Sequence, residues 1–148
     1  MKKILVISSN NEELNTISSF LEDLIPDCLV IPAQSGIAGI ESTKAEFPEM
    51  ILMDLGIGDI DRYEMCRTLK SDENTKDIPI FLMTDSHSAP ESYVKGLKAG
   101  VAGFLGKPIN KAALAVHINM ISRISALEKE KAGLKKQLQQ AQKMESIG

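Results

Sequence analysis

Three side chains suited to handling an anion stand at the ends of apolar runs in this chain. Met50-Ile51-Leu52-Met53 ends in Asp54, Ile80-Phe81-Leu82-Met83 ends in Thr84, and Val101-Ala102-Gly103-Phe104-Leu105 is followed by Gly106, Lys107 and Pro108. A carboxylate can attack a phosphoryl group and carry it as an acyl phosphate. The phosphoryl group is densely negative, so such a site needs cations, and Lys107 offers a compact point charge. Thr84 offers a hydroxyl that can donate to such a group. A further apolar run, Ile4-Leu5-Val6-Ile7, ends in Ser8-Ser9, which supply only neutral oxygens.

These residues are far apart in sequence, so the fold has to bring them together. The pattern alternates buried strands with amphipathic helices: strands near residues 3–8, 28–32, 50–54, 78–84 and 102–105, and helices near 10–23, 35–45, 61–71, 90–99 and from Asn110 onward. The third run is apolar on both faces, as expected where helices cover a parallel sheet on both sides. Asn10, with Glu12 and Glu13 behind it, reads as a helix start, since acidic residues suit a first helical turn. Leu14, Ile17, Leu21 and Leu24 form one face of that helix. Gly100 reads as a helix terminator and Asn110 as a helix cap. Five βα units with short connections predict an α/β, doubly wound, five-stranded parallel sheet. In such a sheet the carboxyl ends of the strands line one crevice, where ligands bind.

The layout resembles the receiver domain of two-component response regulators over roughly residues 2–122. The matching residues are Asp54 at the phospho-acceptor position, Thr84 at the switch hydroxyl, Lys107-Pro108 at the family's Lys-Pro and Phe104 at the switch aromatic. The resemblance implies a flavodoxin-like strand order, 2-1-3-4-5. It also implies Mg²⁺ held by Asp54, by the backbone carbonyl of Gly56 and by an acidic pair closing the first strand. Here that pair reads Ser8-Ser9, which leaves Ser9 a weak ligand at best and Asp54 the sole clear carboxylate. Weak Mg²⁺ binding and impaired phosphorylation are the expectation. Asp85 adds bulk and charge where the family usually has a small residue after the switch hydroxyl, and Gly58 and Arg62 replace the family's usual loop residues.

Several readings stay open at this point. Asp54, Thr84 and Lys107 are either a working phospho-acceptor site or a vestigial polar cluster that ties loops together. Phe104 is either a switch or ordinary strand packing. Asp59 and Asp61 read as solvated loop acids, with Asp61 capping a helix. His87 and His117 do not read as phosphotransfer residues, and Gly56-x-Gly58 lacks the third glycine of a dinucleotide loop. A dimerisation or docking module without phosphate chemistry is the main alternative function. A small-molecule binder is less favoured, because with no Trp and two Tyr the chain offers few rings to stack on a flavin.

The 148 residues suffice for one domain and an appendage, and 43% hydrophobic residues make the body globular. A net charge of −3 argues against nucleic-acid binding. No apolar stretch is long enough to span a membrane, and the short run after Met1-Lys2-Lys3 is no signal peptide. Cys28 and Cys66 form no metal or redox motif and read as reduced thiols of a cytoplasmic, non-enzymatic chain. From Asn110 to Ile147 there is no Pro and one Gly, so a single helix of roughly 55 Å is predicted at about 1.5 Å per residue. Met120, Ile124, Leu127, Leu134, Leu138 and Ala141 follow a coiled-coil spacing that Lys131 interrupts. Residues 123–148 therefore read as a helical linker and possible homodimer seam. The stretch from Gln139 resembles the lead into the phosphorylated helix of sensor histidine kinases, which implies a missing downstream kinase domain. A histidine kinase or phosphotransfer protein is the expected partner.

Overall fold

The computed structural model describes the backbone of residues 2–54, 56, 58–85 and 90–147. In the last helix the side chains at 122, 124–126, 128, 129 and 142–147 fall outside the description, as does His87. The elements are β1 (Lys3–Ile7), α1 (Asn11–Leu24), β2 (Leu29–Ala33), α2 (Gly36–Glu46), β3 (Met50–Asp54), α3 (Arg62–Ser71), β4 (Ile80–Thr84), α4 (Pro90–Ala99), β5 (Gly103–Gly106) and α5 (Lys111–Ile147). The strands form one parallel sheet in the order β2-β1-β3-β4-β5. The predicted fold class and the strand order implied by the resemblance are both correct.

Burial explains the order. Every residue of β3 and β4 is buried, which requires cover on both faces. Pro32 cannot donate to a ladder, and it lies in β2 at the sheet's edge, opposite Val6 of β1. Leu5, Ile7, Ile51, Met53 and Leu82 share one core with Met65 and Leu69 of α3. That packing fixes the strand ends to which the candidate site belongs.

Helix ends are set by short polar side chains. Asn10 Oδ1 accepts from the N–H groups of Glu12 and Glu13 at 2.9 and 3.2 Å, which starts α1 immediately beyond the end of β1. Asp61 Oδ1 accepts from Tyr63 and Glu64 N–H and starts α3, as predicted. Asp59 is exposed, yet it does more than the expected solvated acid: its carboxylate accepts from Gly36 N–H at 2.8 Å and Ile37 N–H at 3.0 Å. The loop after β3 thus caps α2, a neighbouring helix. Those N–H groups, Ile37 first and then Gly36, hold the Asp59 carboxyl below its ordinary pKa. Gly100 ends α4 with φ +98°, a conformation that suits glycine.

The chain divides into two compact units, Met1–Ala113 and Leu114–Gly148. The second belongs to α5, a continuous helix of 37 residues. It carries Met120, Leu127, Leu134 and Leu138 exposed. Among the described residues no helix is long and apolar enough to cross a membrane.

Candidate functional site

β3 delivers Asp54 to the carboxyl edge of the sheet, opposite Met83 of β4, and the next residue of β4, Thr84, is opposite Gly106 of β5. Lys107 N–H donates to Thr84 C=O at 2.7 Å. That bond extends the β4–β5 ladder by a residue and anchors the Lys107 backbone beside Thr84. The Lys107–Pro108 peptide bond is cis. From there the Lys107 side chain returns across the end of β4, and its Nζ reaches Asp54 Oδ1 at 2.7 Å. The same Oδ1 accepts from Gly56 N–H at 2.9 Å. Thr84 is buried. The structure therefore brings Asp54 and Lys107 into direct contact, with Thr84 on the strand between them.

A fourth side chain joins the group that sequence reasoning assigned only to a helix start. Glu13 Oε1 lies 3.3 Å from Lys107 Nζ, and Ser8 Oγ donates to Glu13 Oε2 at 2.8 Å. Lys107 thus bridges two carboxylates, both largely shielded, with the Asp54 and Glu13 side chains 10% and 14% exposed. Burial alone would disfavour the Lys107 charge. The hydrogen bond and charge of Asp54, joined by Glu13, outweigh it and hold the ammonium above its ordinary pKa.

The reason Glu13 is available is local. In an Asn-x-x-Glu start the glutamate commonly turns back to the cap residue's own N–H. Here Asn10 N–H donates instead to Ser8 Oγ at 3.1 Å, so the Glu13 carboxylate is free to face the crevice. The available signal was positional: Glu13 belongs to the first turn of a helix that opens directly from the end of β1. Ser8 is fully buried, whereas Ser9 and Asp85 are exposed.

Phe104 is half-buried, its ring set edge-on to Tyr93 with centroids 4.8 Å apart and planes at 68°. Gly96 of α4 makes room for it: a Cβ there would lie 2.7 Å from Phe104 Cζ. His117 is on α5, away from β3 in sequence and in a different compact unit.

The divalent cation implied by the resemblance calls for oxygen ligands with one or two carboxylates among them. Asp54 and Glu13 bring two carboxylates to one place beside Lys107, and the resemblance adds the backbone carbonyl of Gly56 to them. A single cation, the Lys107 ammonium, already touches both carboxylates. The donor set therefore fits a divalent ion, though one less richly supplied than an acidic strand end would make it. Among the described residues no three His, Cys, Asp or Glu side chains gather as a metal cluster.

The chain is similar to known proteins in sequence and in fold. The model of the response regulator receiver domain matches residues 4–119. Hybrid signal transduction histidine kinase D of Dictyostelium discoideum is 29% identical over 141 residues, covering 95% of this chain and 9% of that protein. The chain thus spans a small part of that relative. The signal receiver domain of a DNA-binding response regulator from Colwellia psychrerythraea 34H superposes with a TM-score of 0.77 at 23% identity, covering 83% of this chain and 99% of that one. The receiver domain of a signal transduction histidine kinase from Syntrophus aciditrophicus does so with a TM-score of 0.72 at 24% identity, covering 82% and 89%. With most of its length matched by the family model, and with the fold to go with it, this chain belongs to the response regulator receiver domains of two-component signal transduction.

Proposed function

We propose that this receiver takes a phosphoryl group on Asp54, slowly, and that it regulates a histidine kinase to which α5 connects it. The observation that carries the reading is the 2.7 Å contact between Lys107 Nζ and Asp54 Oδ1 at the carboxyl edge of the sheet. An Asp54 oxygen attacks the phosphorus of a phosphohistidine or small acyl phosphate. The bond to the donor's leaving group breaks, and an acyl phosphate forms on Asp54. Lys107 then pairs with the transferred group and Thr84 donates to it. Mg²⁺, when bound, neutralises charge that develops on the phosphoryl oxygens; Asp54 and the Gly56 carbonyl would hold it, with Ser9 at most a weak contributor. Because Ser8 and Ser9 bring no charge, metal affinity and phosphorylation rate both fall below those of a receiver with an acidic pair. Incubation with acetyl phosphate and Mg²⁺, read by intact mass, tests this. A slow, partial adduct is expected, and none in Asp54→Ala.

The link to a kinase draws support from the alignment with the Dictyostelium protein. At 141 residues it extends past residue 119, where the receiver match ends, and farther along α5. Leu127, Leu134 and Leu138 are about three-fifths exposed at 63%, 61% and 61%, and burying each leucine contributes roughly 1.5–3 kcal/mol. A parallel pair of α5 helices would cover them. Sedimentation should show the intact chain dimerising weakly and a chain ending at Arg123 remaining monomeric. Equal dimerisation of both would move the interface to the receiver body. Residues 1–122 are then the signalling body and 123–148 the coupling element. A docking role without phosphate chemistry is the second reading, favoured by Lys107 being shared already between two carboxylates.

A further inference from the structure

We propose that Glu13 is the second carboxylate ligand of this receiver's divalent cation, supplied from the first turn of α1 in place of the acidic side chains that β1 lacks. The inference rests on reading the strand-end crevice as the receiver's metal site.

Three observations converge on it. Glu13 and Asp54 both reach one nitrogen, at 3.3 and 2.7 Å, so their oxygens are no farther apart than those two contacts laid end to end. A cation held by one is within a side-chain adjustment of the other. Secondly, Glu13 is not spent on its usual local task, because Ser8 Oγ has taken the Asn10 N–H. Ser8 also donates to Glu13 Oε2 at 2.8 Å. The serine that replaces an acid therefore orients another one. Thirdly, the charges do not balance: two carboxylates share one ammonium, which leaves the cluster attractive to a further cation.

This arrangement also gives the cation a second effect. A divalent ion placed between Asp54 and Glu13 competes with Lys107 for both. The ammonium it releases is the one that a phosphoryl group on Asp54 needs. Glu13 thus holds Lys107 in the metal-free domain and gives it up when the metal binds.

The test is a Mn²⁺ titration of the full chain, followed by paramagnetic broadening in NMR. In the unsubstituted protein Mn²⁺ should broaden the Glu13 side-chain carboxyl signal together with that of Asp54. Glu13→Gln keeps the side chain's shape and its ability to accept from Ser8, and it should weaken Mn²⁺ binding at least tenfold. Broadening locates the ion in the crevice and the affinity identifies the ligand, so unchanged or tighter binding in Glu13→Gln overturns the proposal. Acetyl phosphate labelling separates this from the acceptor reading. Glu13-dependent Mn²⁺ binding without any Asp54 adduct would support the ligand and sink the acceptor. An Asp54 adduct with Mn²⁺ binding indifferent to Glu13 would do the reverse.

Discussion

Changing Ser8→Asp together with Ser9→Asp is expected to make the stability of this domain depend on Mg²⁺. Ser8 is fully buried, accepts from Asn10 N–H and donates to Glu13. An ionised aspartate there has no proton to give and faces Glu13 charge to charge, with Asp54 close by. Loss of a shielded hydrogen bond and the added repulsion should cost about 1–3 kcal/mol in metal-free buffer. A divalent cation reverses the sign, because four carboxylates converge where the present chain has two. A ligand that binds only the folded state, at about 100 times its dissociation constant, stabilises by roughly 2.7 kcal/mol. Urea midpoints with Mg²⁺ and with chelator should therefore separate widely for the variant and little for the present chain. Equal separations would mean that the strand end does not face the metal site.

Lys107→Met should cost stability at neutral pH, by about 1–3 kcal/mol, since it leaves two shielded carboxylates without their shared cation. The cost falls below that of breaking a fully buried pair because Lys107 is 28% exposed and solvent screens it. Asp54 keeps its Gly56 N–H and Glu13 keeps its Ser8 hydroxyl, so the fold should survive. The pH dependence has a definite sign. The Lys107 pKa is raised in the folded protein, above an ordinary value of 10.5. Its contribution is thus fully present below that ordinary value and fades as pH rises through the higher, folded one. The gap between the two proteins should stay constant from neutral pH to the ordinary lysine range and narrow above it. Urea unfolding at a series of pH values checks this, and a gap that widens in alkali would contradict the ion-pair assignment.

Much of the site was legible because strands announce their ends. Asp54 and Thr84 each close an uninterrupted apolar run, and Lys107 follows one, so a parallel sheet had to gather them at one edge. The order of the strands was not contained in those runs, which look alike from the middle of the chain; the resemblance supplied it. Asp61 could be assigned as a cap because capping is local, two or three residues along. Asp59 could not, because it caps a helix that begins 23 residues earlier. Glu13 escaped for a related reason. An acid in a first helical turn has an ordinary electrostatic explanation, and nothing local shows that Ser8 has displaced it from the cap toward Lys107. The long α5 was legible from the lack of proline and the single Gly133, which nothing crowds.

An Asp54 acceptor whose phosphorylation is limited only by its metal ligands, as proposed above, should gain from added acids at the end of β1. Labelling by acetyl phosphate in Mg²⁺, compared by intact mass between the present chain, Asp54→Ala and the Ser8→Asp/Ser9→Asp variant, tests that most directly. The predicted result is a slow partial adduct, no adduct without Asp54, and faster, fuller labelling when the two acids are restored. Rapid stoichiometric labelling of the present chain, an adduct that survives Asp54→Ala, or no gain in the acid-restored variant would contradict it.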